Sequence, residues 1–237
     1  MMEPIYQPAP DHKMRVVVVF SGGASAFQYL LKSDPNLNKK YEFVGAFTNT
    51  KTASAVEVAE RVGIPVEILD YRDFIHERNK RFSDPEVRND YFKNVVTVLE
   101  KWKSDLIIHS GFMLIATEPY LSRFKNKILN VHPADLTILD ERGKRKYAGL
   151  HVVEKAFKAG ATTTRSTIHL VTEGVDEGPI IALSEPLKIH PGISPEEHQE
   201  KMKWACDGPA YQKALELIAD GRVKVDMSTN SVKIRET

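Results

Sequence analysis

Met14-Arg15-Val16-Val17-Val18-Val19-Phe20-Ser21-Gly22-Gly23-Ala24-Ser25 is the stretch that decides the fold. Four consecutive valines carry neither a period of two nor one of 3.6. Such a β-branched run predicts a strand buried on both faces, as in a parallel sheet covered by helices. The two glycines let the chain turn sharply and let its backbone approach a ligand. Helix-compatible residues follow to Lys32. A helix that starts behind a glycine turn points backbone N–H groups at an anion. The stretch is neither G-x-G-x-x-G nor a P-loop, so neither nucleotide motif is supported. A plain strand-to-helix turn is the other reading.

Strand and helix signals alternate outward from this point. Residues 41–47 read as a strand, and 53–62 as a helix stopped by Gly63 with Pro65 beyond it. Residues 65–69, 105–109 and 127–131 read as strands, with a long helix at 85–103. The pattern predicts an α/β chain with a mostly parallel, twisted sheet and helices on both faces. The second half changes character. A helix at 150–158 ends at Gly160, and strands are expected at 162–171 and 179–189. Ser194 with Pro195 makes a helix start, Ser at the N-cap and Pro at the first helical position. That helix runs to Ala219, with a break expected at Gly208-Pro209. The three prolines among residues 1–13 suggest an N-terminal tail or surface strap. We therefore expect one domain over 14–223 and a C-terminal extension over 224–237.

Composition narrows the function classes. The 237 residues hold 33 Lys plus Arg against 32 Asp plus Glu, a net charge of +1, and 42% are hydrophobic. This excludes a disordered chain, and it gives no basic face for nucleic acid or anionic lipid. The one cysteine, Cys206, cannot form an intramolecular disulfide, which fits a reducing, cytoplasmic setting. No apolar run approaches the length of a membrane span or a signal peptide, so no membrane partner is expected.

Two segments carry candidate chemistry. In Leu129-Asn130-Val131-His132-Pro133, alternation places Asn130 and His132 on one side at the end of a strand. Polar residues at the carboxyl end of a parallel strand lie where open α/β sheets bind ligands. Capping a helix or satisfying a loop is the other reading of the pair. In Val175-Asp176-Glu177-Gly178-Pro179, Asp176 is either a turn former or a carboxylate facing His132. If it faces His132, it should raise the histidine pKa. There is no H-E-x-x-H and no cysteine cluster, so no metal is expected, and G-x-S-x-G is absent. The charge run 141–146 reads as a solvated loop.

In this order the segments resemble the phosphoribosylglycinamide formyltransferase family of folate-dependent transformylases. The matching segments are Val19-Phe20-Ser21-Gly22, Gly111-Phe112-Met113, Leu129-Asn130-Val131-His132-Pro133, Tyr147-Ala148-Gly149-Leu150-His151, His169-Leu170-Val171-Thr172 with Val175-Asp176-Glu177-Gly178-Pro179-Ile180, and Ala219-Asp220-Gly221-Arg222. The resemblance implies a Rossmann-like formyltransferase fold. It implies transfer of the formyl group of 10-formyltetrahydrofolate, a co-substrate, to the amine of glycinamide ribonucleotide in purine synthesis. It implies catalytic roles for Asn130, His132 and Asp176. It further implies folate contacts from Arg88, from Met113, Leu114, Ile115 and Ala116, and from Asn130. The phosphorylated ribosyl amine would lie against Gly23, Ala24, Ser25 and Ala26, with Asp207 at the ribose and His151 lining the site. Both partners are small molecules, and a homodimer is compatible with the resemblance.

The chain also departs from the family pattern. Ala24 and Ala26 stand where Gly and Asn are usual, Leu114 replaces a residue that is often Arg, and Asp207 is one carbon shorter than the usual Glu. Thirteen residues, 134–146, replace a short link between Pro133 and Tyr147. They are expected either to form part of the wall at the acceptor mouth, with basic residues 144–146 replacing a phosphate contact, or to be a solvent loop. These changes keep a second acceptor in view, an amine such as that of an amino sugar nucleotide. A deformylase or a methionyl-tRNA formyltransferase would need an appended domain, for which 237 residues leave no room. A folate-binding protein without catalysis would not need Asn130, His132 and Asp176 together.

Overall fold

The structure, a computed structural model, describes residues 2–235; residues 1, 236 and 237, the outer ends of the expected tail and extension, lie outside the described residues. In chain order the elements are β1 (Glu3–Pro4), β2 (Met14–Phe20), α1 (Ser25–Ser33), β3 (Tyr41–Thr48), α2 (Ala55–Arg61), β4 (Val66–Ile68), α3 (Tyr71–Glu77), α4 (Pro85–Glu100), β5 (Leu106–His109), α5 (Tyr120–Arg123) and β6 (Ile128–His132). There follow α6 (Val152–Lys158), β7 (Thr163–Thr164), β8 (Thr167–Leu170), β9 (Ile180–Leu183), β10 (Leu187–Lys188), α7 (Pro195–Met202), a π-helical turn (Lys203–Asp207), α8 (Gly208–Ala219), β11 (Val223–Asp226) and β12 (Ser231–Ile234).

A seven-stranded sheet has the order β4-β3-β2-β5-β6-β8-β9. The first five strands are parallel; β8 runs antiparallel to β6, and β9 antiparallel to β8. The valine run is the reason β2 lies at the centre. Met14, Val16, Val18 and Phe20 enter one core, with Phe27 and Leu30 of α1 and Tyr211, Ala214 and Leu215 of α8. Val17 and Val19 enter the other, with Val87, Tyr91, Val95 and Leu99 of α4 and Tyr120 of α5. Each fully buried valine contributes roughly 1.5–3 kcal/mol over an exposed one. Caps fix the helix starts. Asp84 accepts from Glu86 N ahead of Pro85, and Ser194 and Glu197 form a reciprocal capping box.

Several expectations need correction. The strand expected at 162–171 is two, β7 and β8, and that at 179–189 is β9 and β10. β7 and β10 pair with each other in a separate ribbon. The corner between β7 and β8 is held by Ser166, whose N–H donates to Ser184 Oγ at 2.9 Å and whose hydroxyl donates to Asp207 at 2.5 Å. Gly208-Pro209 does not break the last helix; the π turn carries the backbone through. There a Cβ on Gly208 would lie 2.2 Å from the Tyr29 ring, so a glycine lets α1 and α8 approach. The N-terminal segment is a strap rather than a free tail: β1 pairs with β11, β11 pairs with β12, and Ile5 and Tyr6 are buried in the first core.

Candidate active site

The chain order of the sheet reverses between β2 and β5, which opens a crevice at their carboxyl ends. Ser21 knits that end together. Its N–H donates to the Gly111 carbonyl at 3.0 Å, and its hydroxyl donates to Asn49 Oδ1 at 2.6 Å while accepting from Met113 N at 2.9 Å. Beside it, Ala24 takes a left-handed conformation (φ 46°) to start α1. Ala26 is buried in the first core, so its side chain faces away from the crevice and only its backbone remains for a ligand. Gln28 closes the turn by donating to the Gly23 carbonyl at 2.6 Å.

β6 is the next strand along. Its Asn130 lies opposite His169 of β8, and His132 opposite Thr167. The loop 172–178 between β8 and β9 returns Asp176 over the same end. His132 Nδ1 lies 3.3 Å from Asp176 Oδ2, and His169 Nε2 lies 3.4 Å from Asp176 Oδ1. Gly149 N donates to Asp176 Oδ2 at 2.9 Å. Asn130 Nδ2 is 3.3 Å from His169 Nε2, and His169 Nδ1 donates to the Leu170 carbonyl at 2.9 Å. The four side chains therefore form one cluster, and the facing contact that alternation suggested is present. Histidine 169 is a member that sequence reading did not single out. Its signal is its register opposite Asn130, which exists only once β6 and β8 are paired.

The electrostatics correct one expectation. His132 Nε2 lies 2.7 Å from the Tyr147 carbonyl, which can only accept, so that nitrogen carries a proton. Burial pushes the His132 pKa below its ordinary value; Asp176 and the Tyr147 carbonyl pull it up but do not outweigh burial. Asp176 thus faces His132 without raising its pKa overall. Burial opposes ionisation of Asp176 too, yet His169, His132 and the Gly149 N–H together hold it below the usual carboxylate range. Imidazole and amide N–H groups in such a cluster can stabilise developing negative charge, and the carboxylate fixed against the two imidazoles can favour their charged form and help carry a proton.

The other expected residues are placed unevenly. Leu114 packs against the second core and Ala116 is buried, while Met113 and Ile115 are exposed at the crevice end. Arg88 Nε donates to the Phe82 carbonyl at 3.3 Å, on α4. Asp207 lies in the π turn with its carboxyl against Ser166, and burial pushes it up to about 6. His151 caps α6 in a left-handed conformation and lies 3.2 Å from Glu154. The insertion is a hairpin: Lys146 N donates to the Ile138 carbonyl, and Leu139 bridges Arg145. Arg145 donates to the carbonyls of Asp176 and Gly178, the second at 2.8 Å. Its guanidinium is therefore engaged by the Asp176 loop, while Lys144 and Lys146 are exposed. Among the described residues, no group of three or more His, Cys, Asp or Glu could hold a metal ion, and no helix is long and apolar enough to cross a membrane.

A doubly wound sheet with a switch-point crevice and an Asn-His-His-Asp cluster at one strand end defines a group-transfer class of α/β enzyme. The formyl transferase family model matches residues 14–212, and the chain belongs to that family. Phosphoribosylglycinamide formyltransferase of Escherichia coli is 25% identical over 212 residues, 90% of each chain. The trifunctional purine biosynthetic protein adenosine-3 of Bos taurus is 29% identical over 213 residues, 90% of this chain; the chain spans only 19% of that relative's length. The crystal structure of glycinamide ribonucleotide transformylase 1 from Symbiobacterium toebii matches with a TM-score of 0.79 at 24% identity, over 95% of this chain and 96% of that one. That likeness shows the same fold.

Proposed function

We propose that this chain transfers the formyl group of 10-formyltetrahydrofolate to the amine of glycinamide ribonucleotide. The observation that carries the reading is the contact of Asp176 with His132 and His169 beside Asn130, at the carboxyl end of β6. The amine attacks the formyl carbon, and a C–N bond forms as the carbonyl oxygen becomes an oxyanion. Asn130 and His132 donate to that oxyanion; one such donor is typically worth about 2.7–4 kcal/mol in the transition state. The oxyanion takes over the His132 Nε2 proton that the weaker Tyr147 carbonyl holds in this structure. Collapse breaks the bond between the formyl carbon and folate N10. Asp176 favours the charged form of His132 and helps move a proton from the attacking amine to N10.

The folate lies along 113–116 and Arg88, and the ribotide phosphate meets the N–H groups at 23–26. With Ala26 turned into the core, that phosphate is held by backbone amides. Asp207 is assigned to the ribose hydroxyls in this reading. The remaining partner properties, a cytoplasmic setting, no nucleic acid or membrane partner and a homodimer, belong to this reading as well. The deciding experiment measures formyl transfer by purified protein with glycinamide ribonucleotide and with amino sugar nucleotides. We expect turnover of the ribotide; turnover of an amino sugar alone would overturn the acceptor assignment.

A further inference from the structure

The insertion that sets this chain apart ends in a single anchored residue. Its tip is closed tightly: Asp140 N donates to the Lys144 carbonyl at 2.7 Å, and Asp140 Oδ1 accepts from Arg142 N and Lys144 N at 2.9 Å each. From Thr137 to Lys146 every residue is exposed except Arg145. Its guanidinium reaches across to the loop between β8 and β9 and donates to two carbonyls, those of Asp176 and Gly178. The middle carbonyl, of Glu177, accepts from Asn230 Nδ2 at 2.9 Å. Three consecutive carbonyls are thus held by side chains from elsewhere in the chain.

That loop needs external support. Asp176 sits at φ 55°, a left-handed conformation that is disfavoured for a residue with a side chain. Such conformations persist where the surroundings over-determine them. A planar guanidinium suits the task, because two N–H groups at a fixed spacing grip two carbonyls at once. We propose that Arg145 is a positioning residue, delivered by the 138–146 hairpin, that holds the Asp176 carboxylate in contact with His132 and His169. The assignment rests on the reading of His132 and Asp176 as formyl-transfer groups.

The test compares Arg145→Met, Arg145→Lys, Asp176→Asn and the Arg145→Met/Asp176→Asn double variant. Formyl transfer to glycinamide ribonucleotide gives kcat and KM, and imidazole NMR follows the titration of His132. Arg145→Met should lower kcat about ten- to a hundredfold, the scale of misplacing a catalytic group by up to 1 Å, with both KM values within about twofold. Arg145→Lys keeps the charge but not the fork, so it should stay closer to Arg145→Met than to the wild type; it also covers a failure of Arg145→Met to fold. In the Asp176→Asn background, Arg145→Met should cost less than about twofold more.

The groups facing His132 are Asp176, His169 and Arg145, with the Tyr147 carbonyl. Asp176 raises the His132 pKa, whereas Arg145 as a bare charge lowers it. Loss of positioning should therefore move the His132 midpoint down in Arg145→Met, as in Asp176→Asn. An unchanged or raised midpoint, full rescue by lysine, multiplicative losses in the double variant, or a rise in KM alone would each overturn the proposal. Should the wild type transfer no formyl group, the functional reading fails, and the NMR titration still decides whether Arg145 positions Asp176.

Discussion

At the scale of single residues, the cluster at the end of β6 sets two opposing demands on His132. Burial disfavours its charge, while Asp176 at 3.3 Å favours it. If the charged form is the active one, kcat should fall as pH rises through a midpoint at or below the ordinary histidine value of about 6.5. Asp176→Asn should move that limb lower still, and a flat profile between pH 6 and 9 would remove the charged form from the mechanism. His132→Ala should reduce kcat about 10²- to 10³-fold with folate affinity largely kept, and Asn130→Ala should reduce kcat on the same scale while also weakening folate binding, measured by steady-state kinetics and folate titration. Behind the cluster, His109 is pushed down to about 3 by burial, with its Nε2 2.9 Å from the Tyr120 hydroxyl. Its folded pKa lies below its unfolded one, so the unfolded chain binds the extra proton as pH falls below about 6.5, and stability falls with it. Between pH 7 and pH 5 this one group should cost about 2 kcal/mol, readable in urea melts and absent in a folded His109→Gln variant.

At the scale of elements, the chemistry depends on two neighbouring strands and the loop that joins one of them to β9. Gly178 is where that loop passes closest to its own strand: a Cβ there would lie 1.9 Å from the Leu170 carbonyl oxygen, a backbone atom that cannot swing away. Gly178→Ala should cost at least about 2 kcal/mol and lower kcat as well, because the turn that carries Asp176 must shift. Gly22→Ala, whose Cβ meets nothing within 4 Å, is the control and should change stability by less than about 0.5 kcal/mol. Thermal melts and kinetics of the two variants check this pair. The same region shows what was legible in the chain itself. The valine run, the glycine turn and the Asn130–His132 alternation are local signals, and the structure places all three as read. The corner at Ser166 is not local. Thr163, Thr164, Thr167 and Ile168 carry the same strand signal on both sides of it, and only Ser184 and Asp207, 18 and 41 residues away, turn the chain there. His169 was hidden for the same reason, since its place in the cluster is a matter of pairing with β6. Arg145 lay inside an unremarkable charge run, and nothing in that run marks which of its basic residues will be the anchored one.

At the scale of the whole molecule, the two ends of the chain close one side of the first core. β1 and β12 flank β11, and Ile5, Tyr6, Val223 and Val225 are all buried in the cluster that also holds β2 and α8. The wall continues at Gly221, whose added Cβ would lie 2.6 Å from Pro8 Cδ, so the strap lies directly over the turn before β11. A free tail and a core-sealing strap make opposite predictions for one side chain. Ile5 is 6% exposed. Were it part of a free tail, Ile5→Ala would change stability by no more than about 0.5 kcal/mol. As part of the core it should cost about 2–3 kcal/mol, the lower range for truncating a buried isoleucine, because the site lies at the margin and can partly collapse. For a chain of this length that is a loss of about 5–10 °C in Tm. The loss should appear in a single cooperative transition, since Ile5 shares its cluster with the central strand. A normal Tm in Ile5→Ala would return residues 2–13 to the status of a tail, and a second, lower transition would show the three-stranded sheet melting apart from the core.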